Sequence, residues 1–114
     1  MRFRYRFVDP KAPGMRRLAR HYEFKLRRIL AFASRRESRR DPEIANLYKT
    51  AKVEGISPRF PTRSASIEFR APPLRGTLFE IYKWADLDGF SEREHAASLA
   101  WALREQVREA RRPK

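Results

Sequence analysis

Residues 64–84 read SASIEFRAPPLRGTLFEIYKW, and their pattern decides the fold class. Ala65, Ile67 and Phe69 face one way along an extended chain, while Glu68 and Arg70 face the other. Period-two alternation of this kind describes a half-buried strand. Residues 71–76, APPLRG, are turn chemistry. Residues 77–84, TLFEIYKW, then supply the partner strand of a hairpin, with Phe79 and Ile81 on the inner face. A short helix is the alternative for this last stretch.

Downstream, Ser91 and Glu94 form the S-x-x-E capping box of a final helix, and Phe90 stands where a hydrophobic staple would. Ala96, Leu99, Ala100, Leu103, Val107 and Ala110 make its buried stripe, and Trp101 lies well off that stripe. Upstream, residues 56–63 (ISPRFPTR) hold two prolines and no periodicity, which predicts an extended loop. Before it, Asp41 is the expected N-cap and Pro42 the first residue of a short helix. Its stripe is Ile44, Leu47, Tyr48 and Ala51, and Gly55 is its expected C-terminal cap. Residues 34–40, SRRESRR, read as a basic connector.

A long helix is expected over 15–36. Met15, Leu18, Ala19, Tyr22, Leu26, Ile29, Leu30 and Ala33 recur at the spacing of one buried face. Arg17, Arg20, Phe24 and Arg28 fall on the opposite face. At the start of the chain, residues 2–8 (RFRYRFV) alternate strictly. Phe3, Tyr5 and Phe7 are therefore expected on one face of a strand, with Arg2, Arg4 and Arg6 on the other. The predicted fold is α+β: strand, long helix, short helix, β-hairpin and C-terminal helix around one small sheet. One domain is expected over 1–110, followed by a basic tail at 111–114.

Charge points to the partner. The 114 residues include 27 Lys and Arg against 14 Asp and Glu, a net charge of +13. Residues 1–40 alone carry a net +11. A compact chain so charged repels itself, and an anionic partner relieves the repulsion. Arg dominates, and its planar fork suits phosphate and base stacking. The expected RNA contacts are Arg2, Arg4, Arg6, Arg17, Arg20, Arg28, Arg35, Arg36, Arg39, Arg40, Arg59, Arg63, Arg70 and Arg75. Phe24 and Trp101 are expected to dock a partner.

Catalytic patterns are missing. There is no cysteine, so disulfides, thiolate metal sites and a cysteine nucleophile are excluded. His21 and His95 are the only histidines, and they read as plain surface or boundary residues. Asp86 with Asp88, and Glu92 with Glu94, are acid pairs lacking a third ligand for a metal site. No phosphate-binding glycine loop and no G-x-S-x-G occurs. No enzyme activity, cofactor or small-molecule substrate is expected. No apolar run reaches the roughly 18 residues of a membrane span, and Met1 leads directly into the Arg-rich segment without a secretory signal.

The stretch from Val53 to Ile81 resembles the universal small-subunit ribosomal protein ten family. Val53 and Gly55, then Pro61-Thr62-Arg63, Arg70-Ala71-Pro72 and Phe79-Glu80-Ile81 carry the resemblance. Residues 34–52 look like an insertion relative to that family, and the chain ends on a helix where the family ends on a strand. Residues 61–76 (PTRSASIEFRAPPLRG) with Tyr82 are also similar to the mitochondrial small-subunit protein thirty-three family. Gly14-Met15-Arg16 and Asp41-Pro42, with a hairpin and a final helix, look like the thioredoxin-like group shared by mitoribosomal proteins and a complex I accessory subunit. These resemblances imply a structural constituent of the mitochondrial ribosome, in the small subunit, with ribosomal RNA and neighbouring ribosomal proteins as partners. An accessory subunit of a respiratory complex and a DNA-binding module are the alternatives.

Overall fold

The computed structural model describes residues 13–37, 41–57 and 63–113. The strand expected at 2–8 lies outside the described residues, as do Arg2, Arg4, Arg6, Arg39, Arg40 and Arg59. The fold is α+β. The elements run α1 (Pro13–Glu37), α2 (Pro42–Thr50), β1 (Lys52–Glu54), β2 (Ser64–Phe69), β3 (Thr77–Lys83), α3 (Trp84–Gly89) and α4 (Glu92–Ala110).

The apolar stripe of α1 packs against every other layer. Tyr22, Leu26, Ile29, Leu30 and Ala33 are buried, and Met15 packs at the edge of the core. Arg28 pairs with Glu92, and further along Glu37 pairs with Arg104, so α1 and α4 run in the same direction. Leu18 was expected in the stripe but is exposed, because α4 begins only at the level of Arg28. Residues 34–37 are not a connector: they are the last turn of α1. Arg104 holds the buried Glu37 at 3.5 Å and ties that turn down.

Asp41 caps α2 as expected, its side chain accepting from the Glu43 N–H at 2.9 Å, with Pro42 in the first turn. Ile44, Leu47 and Tyr48 are buried. Gly55 is not the cap of this helix. The chain leaves α2 at Ala51 in an extended conformation and enters β1, a three-residue strand that periodicity is too short to reveal. Gly55 instead lies against the backbone of α1. A Cβ there would stand 1.8 Å from the Ala19 carbonyl oxygen, so only glycine fits.

The three-stranded antiparallel sheet of the described residues has the order β1-β2-β3. Val53 pairs with Ile67 on one side of β2, and Ala65 pairs with Tyr82 on the other. Ala65, Ile67 and Phe69 are fully buried, as the alternation requires. The partner strand departs from it. Ile67 pairs with Glu80, but Glu68 pairs with Leu78, so Phe79 is an extra residue, a β-bulge. Phe79 turns edge-on to Phe69 at 5.2 Å. Ile81 was expected in the core; beyond the bulge it lies across from Ser66 and is exposed. Tyr82 packs on the core in its place.

Trp84 does not end the strand but opens α3, and it is buried. Its indole Nε1 donates to the Gly55 carbonyl at 3.0 Å, and its ring stacks on Tyr22 with centroids 4.6 Å apart. Its backbone N–H donates to the carbonyl of Arg63, which sits at φ 44. Ser91 caps α4, accepting from the Glu94 N–H at 3.1 Å, while Glu94 Oε1 accepts from the Ser91 hydroxyl. Phe90 staples this turn by meeting the His95 ring edge-on. Ala96, Leu99, Ala100, Leu103 and Val107 are buried; Ala110, at the end of the stripe, is exposed. Arg111 does not belong to a frayed tail. Its guanidinium bridges Asp41 at 3.0 Å and Glu43 at 2.6 Å, joining the end of α4 to the start of α2.

Candidate nucleic-acid interface

The outer side of α1 carries the basic surface. Arg17 and Arg35 are five helical turns apart, so they face the same way, about 27 Å apart along the axis. Arg20, Phe24 and Arg28 lie between them on that side, and all are exposed. Phe24 is 59% exposed, and the Arg28 guanidinium lies 5.8 Å from its ring centroid. Arg28 also bonds Glu92 at 2.9 Å, so part of its charge is already met.

Where this ridge reaches the last turn of α1, it meets the first turn of α4. Phe32, Arg35 and Arg36 from α1, with Arg93 and Ala96 from α4, line a depression of about 310 Å³. Arg35 stands 5.9 Å from the centre of the half-buried Phe32 ring, a cation–π distance. Arg35, Arg36 and Arg93 have no carboxylate partner among the described residues. Three uncompensated guanidinium groups around one aromatic ring suit phosphate bonding beside base stacking.

Sequence reasoning found Arg35 and Arg36 but not Phe32 or Arg93. Arg93 sits between Glu92 and Glu94 in the charge-balanced part of the chain, which disguises it. In the fold, Glu92 turns to Arg28 and Glu94 to Ser91, leaving Arg93 exposed.

The other expected contacts are dispersed. Arg17 and Arg20 stand at the opposite end of α1, with no carboxylate partner among the described residues. Arg63 and Arg75 are exposed near β2 and in the hairpin turn, also without one. Arg70 is bonded to Glu68 at 3.2 Å, so its charge is locally met. Phe24 and Trp101 are both exposed, as their off-stripe positions require, but they occupy different helices.

The acid pairs do not form a metal-holding group among the described residues. Asp88 takes the Tyr22 hydroxyl at 2.6 Å and pairs with Lys25. The hydrogen bond from Lys25, then that from Tyr22, holds the Asp88 carboxyl below its ordinary range. The same bond to Asp88, aided by burial, pushes the Tyr22 phenol up to about 12. Among the described residues no group of three or more His, Asp or Glu is arranged for a metal ion. No helix of the described residues is long and apolar enough to cross a membrane. His21 is exposed, and His95 lies deeper than the surface or boundary position expected: it is buried, with Nε2 at 3.1 Å from the Asp86 carbonyl. Burial follows from its place at the fourth position of α4, under the Phe90 staple and against Tyr82. Comparisons of the chain with protein-family models, with curated proteins and with solved structures find no match.

Proposed function

We propose that this protein is a structural RNA-binding component of a ribonucleoprotein, holding phosphates along the outer ridge of α1 and in the depression at its end. The carrying observation is the meeting of Arg35, Arg36 and Arg93 around Phe32, none of the three offset by an acid among the described residues. The net charge of +13 supplies long-range attraction to RNA. Phosphate contacts of this kind position a protein on RNA without reading its sequence. The ribosomal small subunit of mitochondria is the assembly favoured, through the resemblance over residues 53–81. Of the described residues in those motifs, Val53 lies in β1, Arg63 precedes β2, Arg70 follows it and residues 79–81 lie within β3.

Binding of the full chain to a structured RNA hairpin, followed by fluorescence anisotropy across a salt series, tests this reading. Affinity falls steeply with salt, because neutralised phosphates release counterions. Changing Arg35, Arg36 and Arg93 together to Glu lowers affinity at least about tenfold and flattens the salt slope, with the circular dichroism spectrum unchanged. Salt-insensitive binding, or unchanged affinity of the triple variant, overturns the site. Sedimentation of the native particle in sucrose separates the rivals. A ribonuclease-sensitive particle supports the ribosomal assignment; ribonuclease-resistant migration with a membrane complex supports the respiratory one.

A further inference from the structure

A second cavity lies at the junction of β3, α3 and α4. Among the described residues and side chains, every carboxylate but those of Asp86 and Glu94 is ion-paired to a described Arg or Lys. In a chain with 27 cationic residues that pairing is the expected fate of an acid. The two exceptions line the same cavity, of about 390 Å³, together with Tyr82, Phe90, His95 and Ser98.

The walls of this cavity are aromatic. Tyr82 and Phe90 each meet the His95 ring edge-on, with centroids 5.6 and 5.8 Å away. His95 is held in place because its Nε2–H donates to the Asp86 backbone carbonyl at 3.1 Å. A carbonyl only accepts, so that nitrogen carries the proton. The bond also ties α3 to α4, and Asp86 on α3 and Glu94 on α4 both line the cavity. Phe90 is 61% exposed, a large apolar ring at the mouth.

We infer that this cavity binds the guanidinium of an arginine on a basic polypeptide neighbour. Two acidic residues lining the cavity from separate elements complement a planar fork of five N–H donors, and the rings accept its face. The net positive charge of the whole chain does not prevent this. At physiological ionic strength, charges beyond about 8 Å are largely screened, so the local carboxylates govern the pocket. In a particle crowded with basic proteins this surface contacts protein, while the α1 ridge contacts RNA. The choice of a basic neighbour rests on the ribonucleoprotein reading, but the cavity shares no residue with the RNA surface, so the two fail separately.

Titration of the isotope-labelled full chain with acetyl-Gly-Arg-Gly-amide, followed by amide chemical shifts, tests it. The expected result is saturable shifts centred on residues 82, 86 and 90–98, with none from the same peptide carrying neutral citrulline. Asp86→Asn combined with Glu94→Gln weakens the peptide at least about tenfold. This variant keeps the fold, because His95 bonds the backbone of Asp86 and the Ser91 cap bonds the backbone of Glu94. The variant carrying Arg35→Glu, Arg36→Glu and Arg93→Glu still binds the peptide. Unsaturable or scattered shifts, equal shifts from the citrulline peptide, or full affinity of the Asp86/Glu94 variant overturn the inference.

Discussion

Two joints bring together parts of the chain far apart in sequence, and they are made of different materials. At the first, Gly55, Tyr22 and Trp84 pack without solvent: backbone against backbone at Gly55, ring on ring at Tyr22 and Trp84. At the second, Arg111 crosses from the end of α4 to Asp41 and Glu43 on α2, through exposed side chains. Both fix the relative placement of elements. A buried joint resists change because displaced atoms have nowhere to go and stranded polar groups find no water. An exposed ionic joint can be replaced by water and counterions at little cost.

The largest expected effect is at Gly55. Gly55→Ala puts a methyl 1.8 Å from a helix carbonyl oxygen, and backbone must move to admit it. A loss of about 4 kcal/mol or more is expected, read as a shifted denaturant midpoint or failure to fold. A shift under about 1 kcal/mol would mean that β1 is not seated against α1 as described.

Trp84→Phe comes next. It retains a ring beside Tyr22 but leaves the buried Gly55 carbonyl without the indole donor, a cost of about 2 kcal/mol in chemical denaturation. Tyr22→Phe removes the hydroxyl that bonds Asp88 and should cost about 1 kcal/mol, since Asp88 is half exposed. The intact Tyr22 should titrate near 12 in ultraviolet difference spectra, and Asp88→Asn should bring it down. A phenol that titrates normally would remove the Tyr22–Asp88 bond from the description.

The smallest effect belongs to the ionic joint. Arg111→Ala should change the melting temperature least of these variants at neutral pH, and not at all in molar salt. Its pH dependence has a defined sign. The hydrogen bond from Arg111 holds the Asp41 carboxyl below its ordinary 3.8. Above that ordinary value the contribution is complete, and it is lost as pH falls through the lower folded value. The difference between the parent and Arg111→Ala should therefore close in acid below about pH 3.8. A difference that persists in acid would make the contact one of packing.

What local chemistry can specify was legible in the residues. Asp41-Pro42 and Ser91 with Glu94 announce helix starts because a cap is satisfied within three residues of itself. The stripes of α1 and α4 and the alternation in β2 follow from fixed periods. Of the candidate RNA site, Arg35 and Arg36 were visible as part of a basic run.

Only the tertiary structure decided the rest, because each remaining feature is a relation between distant residues. The three residues of β1 are a strand only because β2 lies beside them. The bulge at Phe79 exchanges Ile81 for Tyr82 in the core, and a regular alternation cannot announce the step that breaks it. Gly55 reads as a helix stop until α1 is found against it, and Arg111 reads as tail until α2 is found within its reach. The same holds for the sites. Arg93 joins Arg35 and Arg36 only because α1 and α4 run side by side, whereas Phe32 meets Arg35 within α1 itself. Composition set the surplus of positive charge; packing chose which acids are paired among the described residues and set Asp86 and Glu94 in the lining of one cavity. Charge count adds over a chain, whereas pairing depends on distances of a few ångströms that exist only after folding.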